Sequence, residues 1–115
     1  MAAMLMYTAT IAAQPFVVVI DPGHGGKDYG AIGSKTNEKT VVLAVGRLLG
    51  KKIADKYSSK EVKVVYTRDN DYFVTLQGRA DIANKAKGDL FISIHANSVD
   101  KRNRNRKTVN GTSVY

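Results

Sequence analysis

The chain holds two histidines, one just past an apolar run and the other directly after one. His24 lies in the stretch PGHGG (residues 22–26), after FVVVI and Asp21, and His95 closes FISIH. Imidazole near neutral pH serves as an acid or base, as a hydrogen-bonding group or as a metal ligand. The chain has no cysteine, which removes thiolate metal sites and disulfide frameworks. A metal centre here must be built from His, Asp and Glu. Two histidines and one carboxylate, with a fourth position open, form the donor set of a catalytic zinc site. Zinc so held would lower the pKa of a bound water to about 7 and polarise a carbonyl.

Whether these residues meet depends on the elements that carry them. PFVVVI (15–20) is a β-branched run without polar alternation, the pattern of a strand buried on both faces. DPGHGGKDYGAIGSK follows, with five glycines, and reads as a loop. A helix is predicted from about Glu38 to Tyr57, capped by Asn37 or Thr36. Its buried side is assigned to Val41, Val42, Val45, Leu48, Leu49, Ile53 and Tyr57. Gly46 and Gly50 each weaken that helix by about 1 kcal/mol relative to Ala, and Gly46 suits a close helix–sheet contact. EVKVVYT (61–67) is a second strand. A second helix is predicted from a Thr75 cap to about Lys87, with Leu76, Ala80, Ile82, Ala83 and Ala86 on its buried side and Gly88 ending it. DLFISIH (89–95) is a third strand, again buried, and GTSVY begins a fourth. The order β-α-β-α-β-β predicts an α/β domain with a mostly parallel sheet.

In open α/β sheets, ligands bind beyond the carboxyl ends of strands, where the strand order reverses. His24 lies just past the first strand and His95 just past the third. A 2-1-3 strand order would bring them together. Of the two glutamates, Glu61 and Glu38, Glu61 precedes the second strand at the opposite edge. Glu38 opens the helix that leaves the His24 loop, so it belongs to the same edge. Taken singly, each residue has an ordinary explanation. His24 could be a loop histidine, His95 a hydrogen-bonded core histidine, and Glu38 a carboxylate favoured at a helix N-terminus. Asp28 and Asp89 are further carboxylates near the sheet. Asp21 is a candidate for orienting a ligand histidine from outside the metal shell, or it caps the turn.

At 115 residues the chain forms at most one domain. Its net charge of +8 favours an anionic partner. Much of the excess lies in DKRNRNRK (100–107), which alone reads as a solvated loop. Nucleic acid is not the expected partner: apart from Tyr115, stacking aromatics are missing near that segment, and the chain shows no helix-turn-helix or zinc-finger pattern. Residues 1–14 are apolar and rich in small residues, as at the end of a signal peptide. This predicts an exported protein, with residues 15–115 as the folded part. An uncharged stretch long enough to span a membrane, about 20 residues, arises only by absorbing the first strand, so no stable span is expected.

Four ordered blocks, VVVIDPGHGGKDYGAIG, NEKTVVLAVGRLL, YTRDNDYFVTLQGRADIAN and DLFISIHANS, resemble the zinc-dependent N-acetylmuramoyl-L-alanine amidases. These are bacterial peptidoglycan hydrolases of the type-3 amidase domain. The resemblance runs from about Phe16 to Tyr115. It implies a three-layer α/β/α, phosphorylase/hydrolase-like fold. It implies hydrolysis of the amide between N-acetylmuramic acid and L-alanine, in cell-wall remodelling and daughter-cell separation. It implies His24, Glu38 and His95 as ligands of one zinc ion, peptidoglycan as substrate, and a location in the periplasm or cell envelope. The basic segment 101–107 would line the anionic wall or dock a regulator such as an activator protein. Members of the family carry a further catalytic Glu late in the domain. No residue here matches it, so the general base is expected beyond Tyr115 and the chain reads as the amino-terminal part of a longer domain, incomplete at the C-terminus. The alternative is an amidase-like module that holds wall or zinc without turnover.

Overall fold

The computed structural model describes residues 12–98. The reading of residues 1–14 as a signal remnant lies outside the described residues except for 12–14, and those of 100–107 as a basic loop and of GTSVY as a fourth strand lie wholly outside them.

The elements run β1 (Phe16–Pro22), α1 (Glu38–Lys56), β2 (Val62–Tyr66), α2 (Leu76–Lys85) and β3 (Leu90–Ile94). The three strands form a parallel sheet in the order β2-β1-β3, as the reversal at the first strand requires. β1 is central. Val17, Val18, Val19 and Ile20 are all buried, as expected for a β-branched run covered on both faces. The register pairs Ile20 with Tyr66 on one side and with Ile92 on the other. It also sets Asp21 opposite Ser93 and Pro22 opposite Ile94. The ends of β1 and β3 are therefore level, and the chain leaves both strands at the same edge.

α1 covers one face and α2 lies over the other, giving the α/β/α layering. Asn37 caps α1, its side chain accepting from the Thr40 amide at 3.2 Å. The buried line of α1 differs from the expected one. It runs through Glu38, Lys39, Val42, Gly46 and Gly50, whereas Val41, Val45, Leu48 and Tyr57 are exposed. The cause is the closeness of helix and sheet. A Cβ on Gly46 would stand 2.9 Å from Pro22 Cγ, and one on Gly50 would run into the Tyr66 hydroxyl. The two glycines thus mark the line that touches the sheet, and the larger apolar residues flank it.

α2 is shorter than predicted and stands further off. Thr75 caps it, accepting from the Gly78 amide at 3.0 Å. The helix stops at Lys85, and Lys87, not Gly88, takes the left-handed conformation, with φ at +53°. Gly88 instead lets the chain pass close to Val19, whose Cγ2 would lie 2.6 Å from an added Cβ. A groove of about 560 Å³ separates α2 from the sheet, lined by Val19, Leu76, Ala83 and Phe91 among others. Leu76 is consequently 88% exposed. Leu90 and Phe91, expected in a strand buried on both faces, are about half exposed, because β3 borders the groove and is an edge strand among the described residues. No helix among the described residues is long and apolar enough to cross a membrane.

Candidate metal centre

β1 ends at Pro22, and the chain turns sharply through His24, Gly25 and Gly26, all at positive φ (+62°, +125° and +56°). Such a conformation is uncommon for a residue with a side chain. It is closed by a tight pairing in which the Gly25 and Asp28 amides donate to each other's carbonyls at 2.9 and 3.0 Å. The turn folds the histidine back over the strand end. Its Nδ1 then lies 2.9 Å from Asp28 Oδ2, while Asp28 Oδ1 accepts from the Gly30 amide at 3.1 Å. The remaining nitrogen, Nε2, points to Glu38 Oε1 at 3.1 Å.

Glu38 is the first residue of α1 and is buried. Backbone amides fix both of its oxygens: Ala31 donates to Oε2 at 2.9 Å and Ala96 to Oε1 at 2.8 Å. Burial pushes its carboxyl pKa up. The Ala31 and Ala96 amides, the charge of His24 and the bond from His95 outweigh that and hold it below its ordinary value. Glu38 is therefore an oriented anion. His95 follows the last residue of β3, and its Nδ1 lies 3.1 Å from the same Oε1. The two imidazole rings meet edge to face, their centroids 4.9 Å apart.

Glycines make this approach possible. A Cβ on Gly23 would overlap the ring of His95, whose Nε2 would be 2.6 Å away. Gly30, at φ +63°, would set a Cβ 2.6 Å from His24 Cδ2 and 2.7 Å from Glu38 Oε2. The loop is thus built around the three donor side chains.

The donor chemistry fits a metal ion. One ligand atom from each of His24, Glu38 and His95 lies within 4.8 Å of the others. Tetrahedral zinc, with bonds of about 2.0–2.1 Å, sets neighbouring donors about 3.3 Å apart; the two nitrogens here stand 3.1 Å from Oε1. When Nδ1 of His24 carries the proton toward Asp28, its Nε2 turns a lone pair toward a carboxylate oxygen. A cation between the two atoms, either the proton of a charged imidazole or a metal ion, makes such a contact favourable. The histidines open on a cleft of about 340 Å³, also lined by Phe73, Val74, Leu76, Arg79 and Ser93. It is the smaller of the two cavities described, and it is the one at the carboxyl edge of the sheet.

Asp21 does not orient a histidine. Its Oδ1 accepts from Thr67 at 2.6 Å and from Arg79 at 2.7 Å, and its Oδ2 accepts from Ser93 at 2.7 Å. The alternation of β1 turns it toward the α2 face, where it lines the same cleft as the histidines without a hydrogen bond to either ring. Asp28 stands beside His24 instead, and its spacing four residues after a histidine is the only trace of this in the sequence. Burial pushes the Asp28 pKa up slightly, but the His24 bond first, and then the Gly30 amide, hold it below the ordinary carboxylate range. Lys39 was also not anticipated. It is buried, and its Nζ donates to Gly26 O and Asp71 Oδ2, both at 2.8 Å, over the face of Tyr29. It pins the outer limb of the His24 loop to the segment after β2.

The fold and the site together define an α/β protein with a two-histidine, one-carboxylate group, able to hold a metal ion, at the carboxyl edge of its sheet. The chain belongs to the N-acetylmuramoyl-L-alanine amidase family, whose profile matches residues 18–115. It is 43% identical over 103 residues to the N-acetylmuramoyl-L-alanine amidase AmiC of Escherichia coli, covering 89% of this chain and 23% of that one. Among solved structures it resembles the amidase AmiC2 of Nostoc punctiforme, with TM-score 0.68 and 49% identity over 76% of this chain and 47% of that one. It also resembles the catalytic domain of the amidase CwlV of Paenibacillus polymyxa, with TM-score 0.67 and 43% identity over 75% and 48% of the respective chains. The chain thus spans about a quarter of the AmiC relative and about half of each solved chain.

Proposed function

We propose that this chain supplies the metal-holding part of a zinc-dependent amidase that cleaves the bond between N-acetylmuramic acid and L-alanine in peptidoglycan. The observation that carries the reading is the convergence of His24 Nε2 and His95 Nδ1 on one oxygen of Glu38, each at 3.1 Å. Zinc bound there supplies a Lewis acid that polarises a carbonyl and acidifies water. His24, Glu38 and His95 hold it. Asp28 fixes the proton on His24 Nδ1, which leaves Nε2 free as a ligand. The Ala31 and Ala96 amides keep Glu38 ionised and aimed.

A general base must reach the attacking water directly or through one water. The carboxylates lining the cleft among the described residues are Asp21 and Asp28. Both already accept hydrogen bonds at each oxygen. We therefore place the base outside the described residues. The same engagement of Asp21 and Asp28 supports a second reading, a wall- or zinc-binding module without turnover. A wall substrate goes with export to the periplasm or cell envelope and with work in wall remodelling and daughter-cell separation.

The test uses protein expressed from the complete reading frame, with purified peptidoglycan. Release of stem peptide that is abolished by chelator, restored by zinc and lost in Glu38→Ala supports the amidase. Retention on the wall without release supports the module.

A further inference from the structure

Two buried guanidinium groups lie behind the metal centre, and neither belongs to the donor set. Arg68, at the end of β2, is 0% exposed, and Arg79, in the first turns of α2, is 7% exposed. Both aim at the backbone leaving β1. Pro22 O accepts from Arg68 Nε and from Arg79 Nη1, both at 2.8 Å. Gly23 O accepts from Arg68 Nη2 at 2.7 Å, and His24 O from Arg79 Nη2 at 2.6 Å. Three successive carbonyls, cut off from the sheet by the left-handed turn at His24, are thus met by two side chains. Buried carbonyls need such partners, and a planar guanidinium with five donors in a fixed fork serves several at once.

The same groups extend to the other two donors. Arg68 Nη2 also donates to Lys39 O at 2.9 Å, one residue past Glu38. Arg79 Nη1 donates to Asp21 Oδ1, and the other oxygen of Asp21 accepts from the Ser93 hydroxyl at 2.7 Å. Ser93 faces Asp21 because the register pairs them, and it lies two residues before His95. One connected set of hydrogen bonds therefore joins the backbone beside His24, Glu38 and His95.

We infer that Arg68 and Arg79 are positioning residues of the metal centre, their paired guanidiniums fixing the His24 turn and tying it to the starts of α1 and the end of β3. This rests on the metal-site reading above. The prediction is specific to donor geometry. Lysine keeps the charge of Arg79 but replaces the planar fork, whose Nη1 serves Asp21 and Pro22 and whose Nη2 serves His24, by a single nitrogen. Ser93→Ala removes the link toward His95 while leaving both arginines in place, and Ser93→Thr keeps the hydroxyl.

The experiment is a cobalt(II) and zinc titration of the wild-type protein and of Arg68→Lys, Arg79→Lys, Ser93→Ala and Ser93→Thr, with thermal melts of the metal-free proteins alongside. Cobalt reports coordination geometry through its visible absorption, independent of turnover. The expected result is a metal affinity weakened at least about tenfold in both lysine variants and in Ser93→Ala, with an altered cobalt spectrum and with recovery in Ser93→Thr. Lowered melting temperatures combined with wild-type affinity and spectrum in the folded variants would overturn the positioning role and leave the metal site standing. A wild-type protein that binds neither ion would overturn the metal site and this role with it.

Discussion

Nδ1 of His24 and Oδ2 of Asp28 lie 2.9 Å apart across a turn of four residues, although Asp28 is not a metal-donor residue. The contact decides which ring nitrogen of His24 faces the centre. A carboxylate beyond a ligand histidine fixes its tautomer and raises its basicity. Asp28→Ala is therefore expected to weaken zinc binding by about 10- to 100-fold, measured by competition against a chromophoric chelator. Asp28 is about half exposed, so the melting temperature of the metal-free protein should fall only modestly. Unchanged affinity would show that the Gly25–Asp28 turn alone holds the ring.

Gly30 bears on the same centre through space. At φ +63° it occupies a conformation that a side chain resists, and its missing Cβ leaves room for His24 and Glu38. Gly30→Ala must push one of them aside or distort the turn. The expected outcome is loss of measurable zinc uptake in equilibrium dialysis, with the sheet retained by circular dichroism. Zinc uptake equal to wild type would mean that the loop yields more readily than the donors.

The meeting of His24, Glu38 and His95 is legible in the sequence because it needs only placement. His24 and His95 follow apolar strands, Glu38 opens the intervening helix, and a 2-1-3 sheet puts all of these at one edge. The supporting residues were not legible. Arg68 and Arg79 read as ordinary cations of a loop and a helix, and their burial depends on where the β1 carbonyls point after a left-handed turn. Asp21 is by sequence a candidate for orienting a histidine or for capping the turn, but its oxygens are taken by Thr67, Ser93 and Arg79. The buried line of α1 was misread for a related reason. Apolar residues occupy much of the helix circumference, and periodicity favours large ones, whereas close packing on the sheet selected Gly46 and Gly50.

Asp21 gives the fold a defined response to acid. Burial raises its pKa, but the bonds donated by Thr67, Arg79 and Ser93, with the charge of Arg79, outweigh burial and hold it below the ordinary 3.8. A carboxyl whose folded pKa is depressed contributes its full stabilisation above the unfolded value, and that contribution is lost as pH falls through the folded value. The thermal midpoint is therefore expected to drop as pH falls below about 4. Asp21→Asn should be less stable near neutral pH and show a shallower acid limb. The limb would not vanish, because Glu38 and Asp28 are depressed as well. Melts followed by circular dichroism from neutral pH downward measure both; an Asn variant with an unchanged limb would remove Asp21 from the account.

Gly46 tests whether contact or propensity governs α1. In an isolated helix, Gly→Ala is favourable by about 1 kcal/mol. Here the added methyl would meet Pro22 Cγ at 2.9 Å and Ile20 Cγ2 at 3.4 Å. The Ile20 contact is close to an ordinary one, but the Pro22 ring is fixed to the β1 backbone and cannot swing away. Overpacking of this kind costs about 1–3 kcal/mol, which exceeds or cancels the propensity gain. Gly46→Ala is therefore expected to lower the urea midpoint, whereas Leu48→Ala, at a site 55% exposed, should stay within about 0.5 kcal/mol of wild type. Because Pro22 lies two residues before His24, relief of the clash by movement of β1 would reach the donor turn. Zinc affinity should then fall together with stability in Gly46→Ala and remain unchanged in Leu48→Ala. A stabilised Gly46→Ala protein would show that helix propensity outweighs the contact with the sheet.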